Sequence, residues 1–229
     1  MNSPRPGVTL VPARQPAVGL GPRATRTIDL IVSSAKELFL TKGYGGTRID
    51  DITSLAGVSR ASFYTYFPSK RHVLVMVGSG SFASSESLWK ELGRLPPEWS
   101  RADLQAWVGS YFHFLEESGV FIEVWRQATA MDERLKQIGE ITREKSFRRV
   151  ADALQRLRGY PVGNPVNEGL VIYSMLHETW RNVKAGGGDP VRDDLIADVT
   201  RLLYAIVTAP REGTAPAART RRARASTAR

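Results

Sequence analysis

The sequence predicts an all-α protein, with a compact unit of three short helices followed by a larger helical bundle, about nine helices in all. Apolar residues recur at the three- and four-residue spacing of a helix face across most of the chain. No stretch combines the alternating apolar and polar residues of a strand with a hairpin turn. These two observations together exclude a sheet-based fold.

The first predicted helix follows a segment, residues 1–22, that contains five prolines and three glycines. We expect this segment to be a disordered basic arm, because it has no apolar periodicity. Ile31, Ala35 and Leu38 then fall on one helical face. Gly43 is expected to end the helix, since glycine tolerates the positive φ of a helix C-terminus.

Two further short helices are predicted from caps and breakers. Thr47 followed by Asp50 is a capping-box pattern for the second helix, and Gly57 ends it. Ser59 can cap a third helix, which Pro68 stops. Two short helices joined by so tight a turn are typical of a helix-turn-helix, which presents its second helix to the major groove of DNA.

The predicted third helix, residues 59–67, has the faces that groove binding requires. Phe63 and Phe67 are four residues apart and can pack inward. The outer face is made of small or hydrogen-bonding side chains, namely Arg60, Ala61, Ser62, Tyr64 and Thr65. Unpaired backbone N–H groups at the starts of the helices favour phosphate oxygens.

This segment resembles the TetR family of bacterial transcriptional regulators (TetR/AcrR type). The matching residues are Ile52, the run Ala56-Gly57-Val58-Ser59, and the run Phe63-Tyr64-x-Tyr66-Phe67-Pro68-Ser69-Lys70. The resemblance is close over about residues 27–75. Behind them it is a likeness of helix number, length and order.

The resemblance implies a helix-turn-helix DNA-binding domain at residues 23–70 and a ligand-binding and dimerisation domain at residues 71–209. It places phosphate contacts on Thr47, Ser59, Tyr66 and Lys70, and base-reading positions on Arg60, Ala61, Ser62, Tyr64 and Thr65. Arg48 is expected to touch the DNA backbone or a base edge. The implied partner is a palindromic double-stranded operator, bound by a homodimer that acts as a repressor.

The remaining helices are expected at about 69–93, 101–117, 120–130, 132–158, 165–185 and 190–208. Breaks between them are predicted at Pro96-Pro97, Gly119, Gly159–Pro165 and Gly186–Pro190. The last helix carries a broad apolar stripe. The final two helices are therefore expected to form the dimer contact, although the stripe would also suit an internal core.

Large aromatic residues of the bundle are the candidates for binding a small, largely apolar effector. They are Trp107, Tyr111, Phe114, Trp125, Tyr173, His177 and Trp180. For each of them the alternative is core packing, and for His177 also a satisfied interface position. The placement of Trp107, Phe114 and His177 resembles the ligand tunnel of the branch that controls an actinobacterial monooxygenase. No cofactor or metal is expected.

Composition limits the remaining possibilities. The net charge of +9 is carried by residues 1–28 and by residues 210–229, which we expect to be a disordered basic tail. There is no cysteine, which excludes disulfides, thiolate catalysis and cysteine-based zinc sites. No long apolar segment is present, so we expect a soluble, cytoplasmic protein without a membrane partner.

Two other classes of function remain open. An enzyme would need a cluster of reactive side chains, but the three histidines, His72, His113 and His177, are far apart in sequence, and no glycine-rich phosphate loop is present. An architectural DNA-binding protein without an effector would bind mainly through its basic arms. Loss of preference for one site over random DNA would favour that alternative.

Overall fold

A computed structural model describes residues 21–161 and 163–210, and this part of the chain forms eight helices without a strand. The all-α prediction is confirmed. The predicted arm (1–22) and tail (210–229) lie almost wholly outside the described residues. The helices are α1 (Pro22–Gly46), α2 (Ile49–Ala56), α3 (Arg60–Tyr66), α4 (Lys70–Leu92), α5 (Arg101–Met131), α6 (Glu133–Arg158), α7 (Pro165–Ala185) and α8 (Asp193–Thr208).

The predicted break at Gly119 is wrong, because α5 runs without interruption through this residue. Gly119 is buried, and a Cβ atom placed there would lie 2.0 Å from the indole ring of Trp180 on α7. The glycine therefore allows α7 to approach α5 closely and does not end a helix. The two helices expected at 101–117 and 120–130 are one helix, which reduces the expected nine helices to eight in the described residues.

The turn between α1 and α2 differs in one detail from its prediction. Gly43 adopts φ 71° and interrupts the regular geometry of α1, as expected. The cap of α2 is Arg48 and not Thr47, since the carboxylate of Asp51 accepts a hydrogen bond from the Arg48 backbone N–H at 2.8 Å. The Thr47 hydroxyl points inward and donates to the carbonyl of Gly43 at 2.8 Å.

Buried apolar residues form two clusters. The N-terminal cluster contains the buried faces of α1, α2 and α3, and also Val73 and Leu74 of α4, Phe121, Val124 and Ala128 of α5, and Leu135 of α6. The C-terminal cluster joins the far end of α4, the first half of α5, the end of α6, and α7 and α8. Because α4, α5 and α6 each contribute to both clusters, the three-helix unit and the bundle are packed as one structure.

The helix α7 packs mainly on α6, while α8 packs mainly on α5, and the two hardly contact each other. A Cβ atom at Gly169 of α7 would lie 1.9 Å from the carbonyl oxygen of Phe147 on α6, so only glycine fits there. A buried ion pair between Arg158 and Glu168, at 2.6 Å, joins the end of α6 to the start of α7. No helix within residues 21–161 and 163–210 is long and apolar enough to cross a membrane.

Candidate nucleic-acid interface and internal cavity

The helix α3 projects a polar face from the N-terminal cluster. Its start is capped by Ser59, whose hydroxyl accepts a hydrogen bond from the backbone N–H of Ser62 at 3.0 Å, as predicted. Phe63 is fully buried, which anchors the helix, whereas Tyr64 remains 46% exposed. Thr65 is also exposed. The side chains expected to read bases are therefore accessible, on a helix held firmly by its inner face.

Arg60, at the start of this face, is paired with Asp50 of α2. One of its guanidinium nitrogens lies 2.8 Å and 3.0 Å from the two carboxylate oxygens of Asp50. The guanidinium carbon lies 6.0 Å from the centroid of the Tyr64 ring. Both members of the ion pair are largely exposed, so the pair is weak and can be exchanged for a contact with DNA.

The hydroxyl of Thr47 does not supply the phosphate contact expected at this residue. Thr47 is only 1% exposed, and its hydroxyl donates to the carbonyls of Leu38 and Gly43. A buried hydroxyl with both acceptors inside the protein cannot reach a phosphate. The inward hydrogen bonds could not be predicted from the sequence, because a threonine before a helix is equally suited to capping the helix, to contacting DNA and to bonding inward.

Lys70 is also engaged within the protein. Its ammonium group donates to the carbonyls of Tyr44 and Thr47, each at 2.7 Å, and lies 4.2 Å from the centroid of the Tyr44 ring. Partial burial lowers the pKa of Lys70 below its ordinary value. The role expected for Lys70, a phosphate contact, is thus joined by a structural role that the sequence did not reveal.

A shallow cleft between the starts of α2 and α4 gathers basic side chains. Its lining includes Arg48, Arg60, Lys70 and Arg71. Sequence reasoning did not single out Arg71. Of the other predicted DNA contacts, Ala61 is exposed, and Ser62 and Tyr66 are half-buried. The arrangement can offer cations and backbone N–H groups to phosphates on either side of an inserted α3.

Arg71 connects this cleft to the bundle. Its guanidinium contacts a carboxylate oxygen of Asp132 at 2.8 Å and 2.9 Å through two nitrogens. Asp132 is also the cap of α6, where it accepts the backbone N–H groups of Arg134 and Leu135. Burial opposes ionisation of Asp132, but Arg71 and the backbone donors hold the pKa of its carboxyl below the usual range. One carboxylate therefore fixes the starts of both α4 and α6.

A cavity of about 800 Å³, partly open to solvent, lies between α4, α5, α6 and α7. Five of the seven side chains predicted to bind an effector line it, namely Phe114, Trp125, Tyr173, His177 and Trp180. The other two, Trp107 and Tyr111, do not line the cavity. Trp107 belongs to the core, where its indole N–H donates to the carbonyl of Leu88 at 2.8 Å. Tyr111 is fully buried behind the lining.

Tyr111 nevertheless supports the cavity through His177. Its hydroxyl is 3.0 Å from Nε2 of His177, and the His177 ring stacks on Tyr173 at 3.9 Å between centroids. Burial lowers the pKa of His177 to about 4 and raises that of Tyr173 to about 12. All three groups are uncharged at neutral pH, so the inner wall of the cavity is polar but neutral.

Sequence reasoning missed the contributions of α4 and α6 to this cavity. Phe82 and Trp89 on α4, Phe121 on α5, and Phe147 on α6 all line it. The cavity residues of α6 lie on a strongly polar helix with many charged side chains, so its pattern resembled a solvated face. In residues 21–161 and 163–210, no group of three or more acidic or histidine side chains could hold a metal ion.

Comparisons with known proteins find relatives for the segment that contains α3. Residues 31–77 match the family model of bacterial regulatory proteins, tetR family. Over 45 residues the chain is 44% identical to the HTH-type transcriptional regulator EthR of Mycolicibacterium smegmatis, a match that covers 20% of this chain and 21% of EthR. It is 42% identical over 45 residues to IcaR, the HTH-type negative transcriptional regulator of the biofilm operon icaADBC in Staphylococcus aureus, covering 20% of this chain and 24% of IcaR.

The structural comparison extends the likeness to most of the chain. A TetR-like transcriptional regulator from Rhodococcus sp. RHA1 superposes with a TM-score of 0.60 and 19% sequence identity, covering 83% of this chain and 100% of that one. At this identity the likeness concerns the fold. The chain spans less than a quarter of the length of the curated relatives that it matches in sequence.

Proposed function

We propose that this chain is a regulator of the TetR family and that it acts as a homodimeric, ligand-responsive repressor on a palindromic operator. In this proposal α3 of each copy enters the major groove, and a small molecule in the bundle cavity weakens DNA binding. Because its target is a bacterial operator, we place its action in the cytoplasm.

The observation that carries the proposal is the division of α3 into two faces. Phe63 is fully buried and fixes the helix, while Tyr64 and Thr65 face outward. A helix that reads base edges must be both rigidly held and accessible on its polar side. The basic residues of the neighbouring cleft, Arg48 and Arg71 among them, supply the charge that phosphates need.

Exposed apolar side chains on α7 and α8 support the proposed homodimer. Val171 is 63% exposed and Leu202 is 49% exposed, and both belong to the helices expected to pair. Tyr204 adds further apolar surface on α8. Burial of such side chains against a second copy is favourable, and a palindromic site requires two α3 helices about one DNA turn apart, roughly 34–36 Å.

The position of the cavity suggests how a ligand would act on DNA binding. The cavity is lined from the N-terminal cluster by Phe121 and from the C-terminal cluster by Trp89, Phe114 and Trp180. It is also lined by α4, whose first residues contact the α1–α2 turn and the cap of α6. A ligand that favours one arrangement of these helices shifts the population of DNA-competent dimers.

Substitution of Tyr64 tests the proposed groove contact. We expect Tyr64→Ala to reduce the ratio of operator to random-DNA affinity by roughly tenfold, because a base contact contributes about 1–3 kcal/mol to discrimination. Tyr66→Phe, which removes only a hydroxyl expected at a phosphate, should weaken both affinities by a similar factor. Gel-shift titration at several salt concentrations measures both. An unchanged ratio for Tyr64→Ala would contradict the assignment of α3 as the recognition helix.

Introducing a charge on the exposed face of α7 or α8 tests the homodimer. Val171→Glu or Leu202→Glu should produce a monomer in size-exclusion chromatography with light scattering, since a buried unpaired carboxylate is costly. Operator binding should be lost with the dimer. The control is Leu40→Glu, a comparable change at a half-exposed leucine of α1, which should leave the dimer intact. If both single variants, Val171→Glu and Leu202→Glu, stay dimeric, the two copies pair through a surface other than the exposed faces of α7 and α8.

The Arg71–Asp132 ion pair is the proposed link between DNA and bundle. Operator binding should slow amide hydrogen exchange in the first turns of α6 in the unmodified protein, because coupling between sites is reciprocal. Asp132→Asn should remove this effect, since asparagine still caps α6 but lacks the charge that holds Arg71. The control is Glu133→Gln, beside it on an exposed ion pair. Equal operator-dependent protection in both variants would rule out this route of coupling.

A further inference from the structure

The chemistry of the cavity lining narrows the class of the effector. Resting on the proposed role of this cavity as the effector site, we propose that it receives an aromatic monoanion. In this arrangement a carboxylate meets Arg143 and Tyr173, and the ring system lies among the aromatic side chains. The proposal rests on the type of apolar side chain, on the balance of charge in the lining, and on the positions of Arg143 and Tyr173 in that lining.

Rings dominate the apolar part of the lining. The nine ring-bearing residues are Phe82, Trp89, Phe114, Phe121, Trp125, Phe147, Tyr173, His177 and Trp180, whereas the branched aliphatic residues are Val75, Ile122 and Leu170. Several of these rings already meet edge to face, such as Phe82 and Trp125 at 5.3 Å and 84°. Edge-to-face and offset contacts add stabilisation beyond buried area, so the lining favours a flat aromatic ligand over an alkyl chain.

Among the charged side chains of the lining, one arginine has no glutamate partner. Three of its four arginines are paired with its three glutamates: Arg126 contacts Glu123, Arg149 contacts Glu86 at 2.9 Å, and Arg181 contacts Glu178. Arg143 of α6, an exposed residue that lines the cavity, has no carboxylate within 4 Å in the described part of the chain. A ligand with a single negative charge would complete the balance of charge in the lining.

Tyr173 supplies a second donor beside this cation. Arg143 and Tyr173 both line the cavity, and Phe147, one helical turn after Arg143 on α6, lies with its ring centroid 5.5 Å from that of Tyr173. The ring of Tyr173 is stacked on His177 at 3.9 Å between centroids, which fixes its position in the lining. A guanidinium and a hydroxyl that converge from α6 and α7 suit the two oxygens of a carboxylate.

The rest of the cavity limits the ligand to one charge. His177 and Tyr111, at the inner wall, are bonded to each other and neutral, so a second ionised group there would lack a counter-charge. The volume of about 800 Å³ accommodates a molecule with two or three fused or linked rings.

Calorimetric titration of the full chain with three probes tests the proposal. The probes are 2-naphthoate, its neutral methyl ester, and decanoate as an aliphatic carboxylate. We expect 2-naphthoate to bind roughly tenfold more tightly than the ester, because charge-assisted hydrogen bonds are about twice as strong as neutral ones. It should also bind more tightly than decanoate.

Variants on α6 assign the preference to Arg143. Arg143→Gln should abolish the preference for the acid over the ester, and Arg143→Lys should retain part of it. The matched control is Arg148→Gln, on the same helix, where the arginine pairs with Glu144 and does not line the cavity. The Arg148→Gln variant should prefer the acid over the ester as strongly as the unmodified chain does.

Three results would overturn the proposal: equal binding of the acid and the ester, tighter binding of decanoate than of 2-naphthoate, or no binding of 2-naphthoate at about 1 mM. Operator binding of the same preparations is measured separately in gel shifts. An unmodified chain that binds 2-naphthoate but shows no operator preference would refute the repressor while leaving the ligand class standing. A chain that binds its operator but none of the probes would refute the proposed ligand class and leave the proposed repressor standing.

Discussion

The contact on which the architecture depends most is made by one ammonium group. Lys70 donates to the carbonyls of Tyr44 and Thr47 and lies against the Tyr44 ring, at the corner where α1 ends, α2 begins and α4 starts. Carbonyls at the end of a helix need donors, and a buried cation needs acceptors, so each satisfies the other. Since Lys70 is the first residue of α4, this corner sets the direction of α4 relative to α2 and α3.

From that corner α4 leads directly to the cavity. Gly78, halfway along the helix, is packed so tightly that a Cβ atom would lie 2.8 Å from the ring of Phe121 on α5. This contact explains a glycine in a helix interior, where it would otherwise cost about 1 kcal/mol relative to alanine. The close approach leaves α4 little room to move without α5. A change in the width of the cavity would therefore be transmitted toward Lys70 and Arg71.

The three-helix unit could be predicted because its signals are local. Gly43, the Ser59 cap, Pro68 and the inward phenylalanines each act within a few residues, and the structure confirms them. The role of Gly119 could not be predicted, because it depends on a residue of another helix, Trp180, which is far away in sequence. A glycine that breaks a helix and a glycine that admits a tryptophan from another helix look the same in sequence.

The cavity was only partly predictable for a similar reason. Trp125, Tyr173 and Trp180 are large aromatics on apolar helices, and they do line it. Trp107 has the same pattern but faces the core, since the choice between the two sides depends on where α4 crosses α5. The proposed role of Arg143 could not be predicted from the sequence. It became visible only when the structure showed that the other arginines of the lining are paired with glutamates and Arg143 is not.

The dependence of operator affinity on salt for a Lys70→Met variant tests the corner most directly. If Lys70 acts chiefly by holding the corner, operator affinity should fall by roughly tenfold or more and random-DNA affinity should fall less. The slope of affinity against salt should then fall by well under one, the change expected for one lost phosphate contact. An equal loss of both affinities, with the slope reduced by about one, would show that Lys70 acts mainly as a phosphate ligand and would contradict this account.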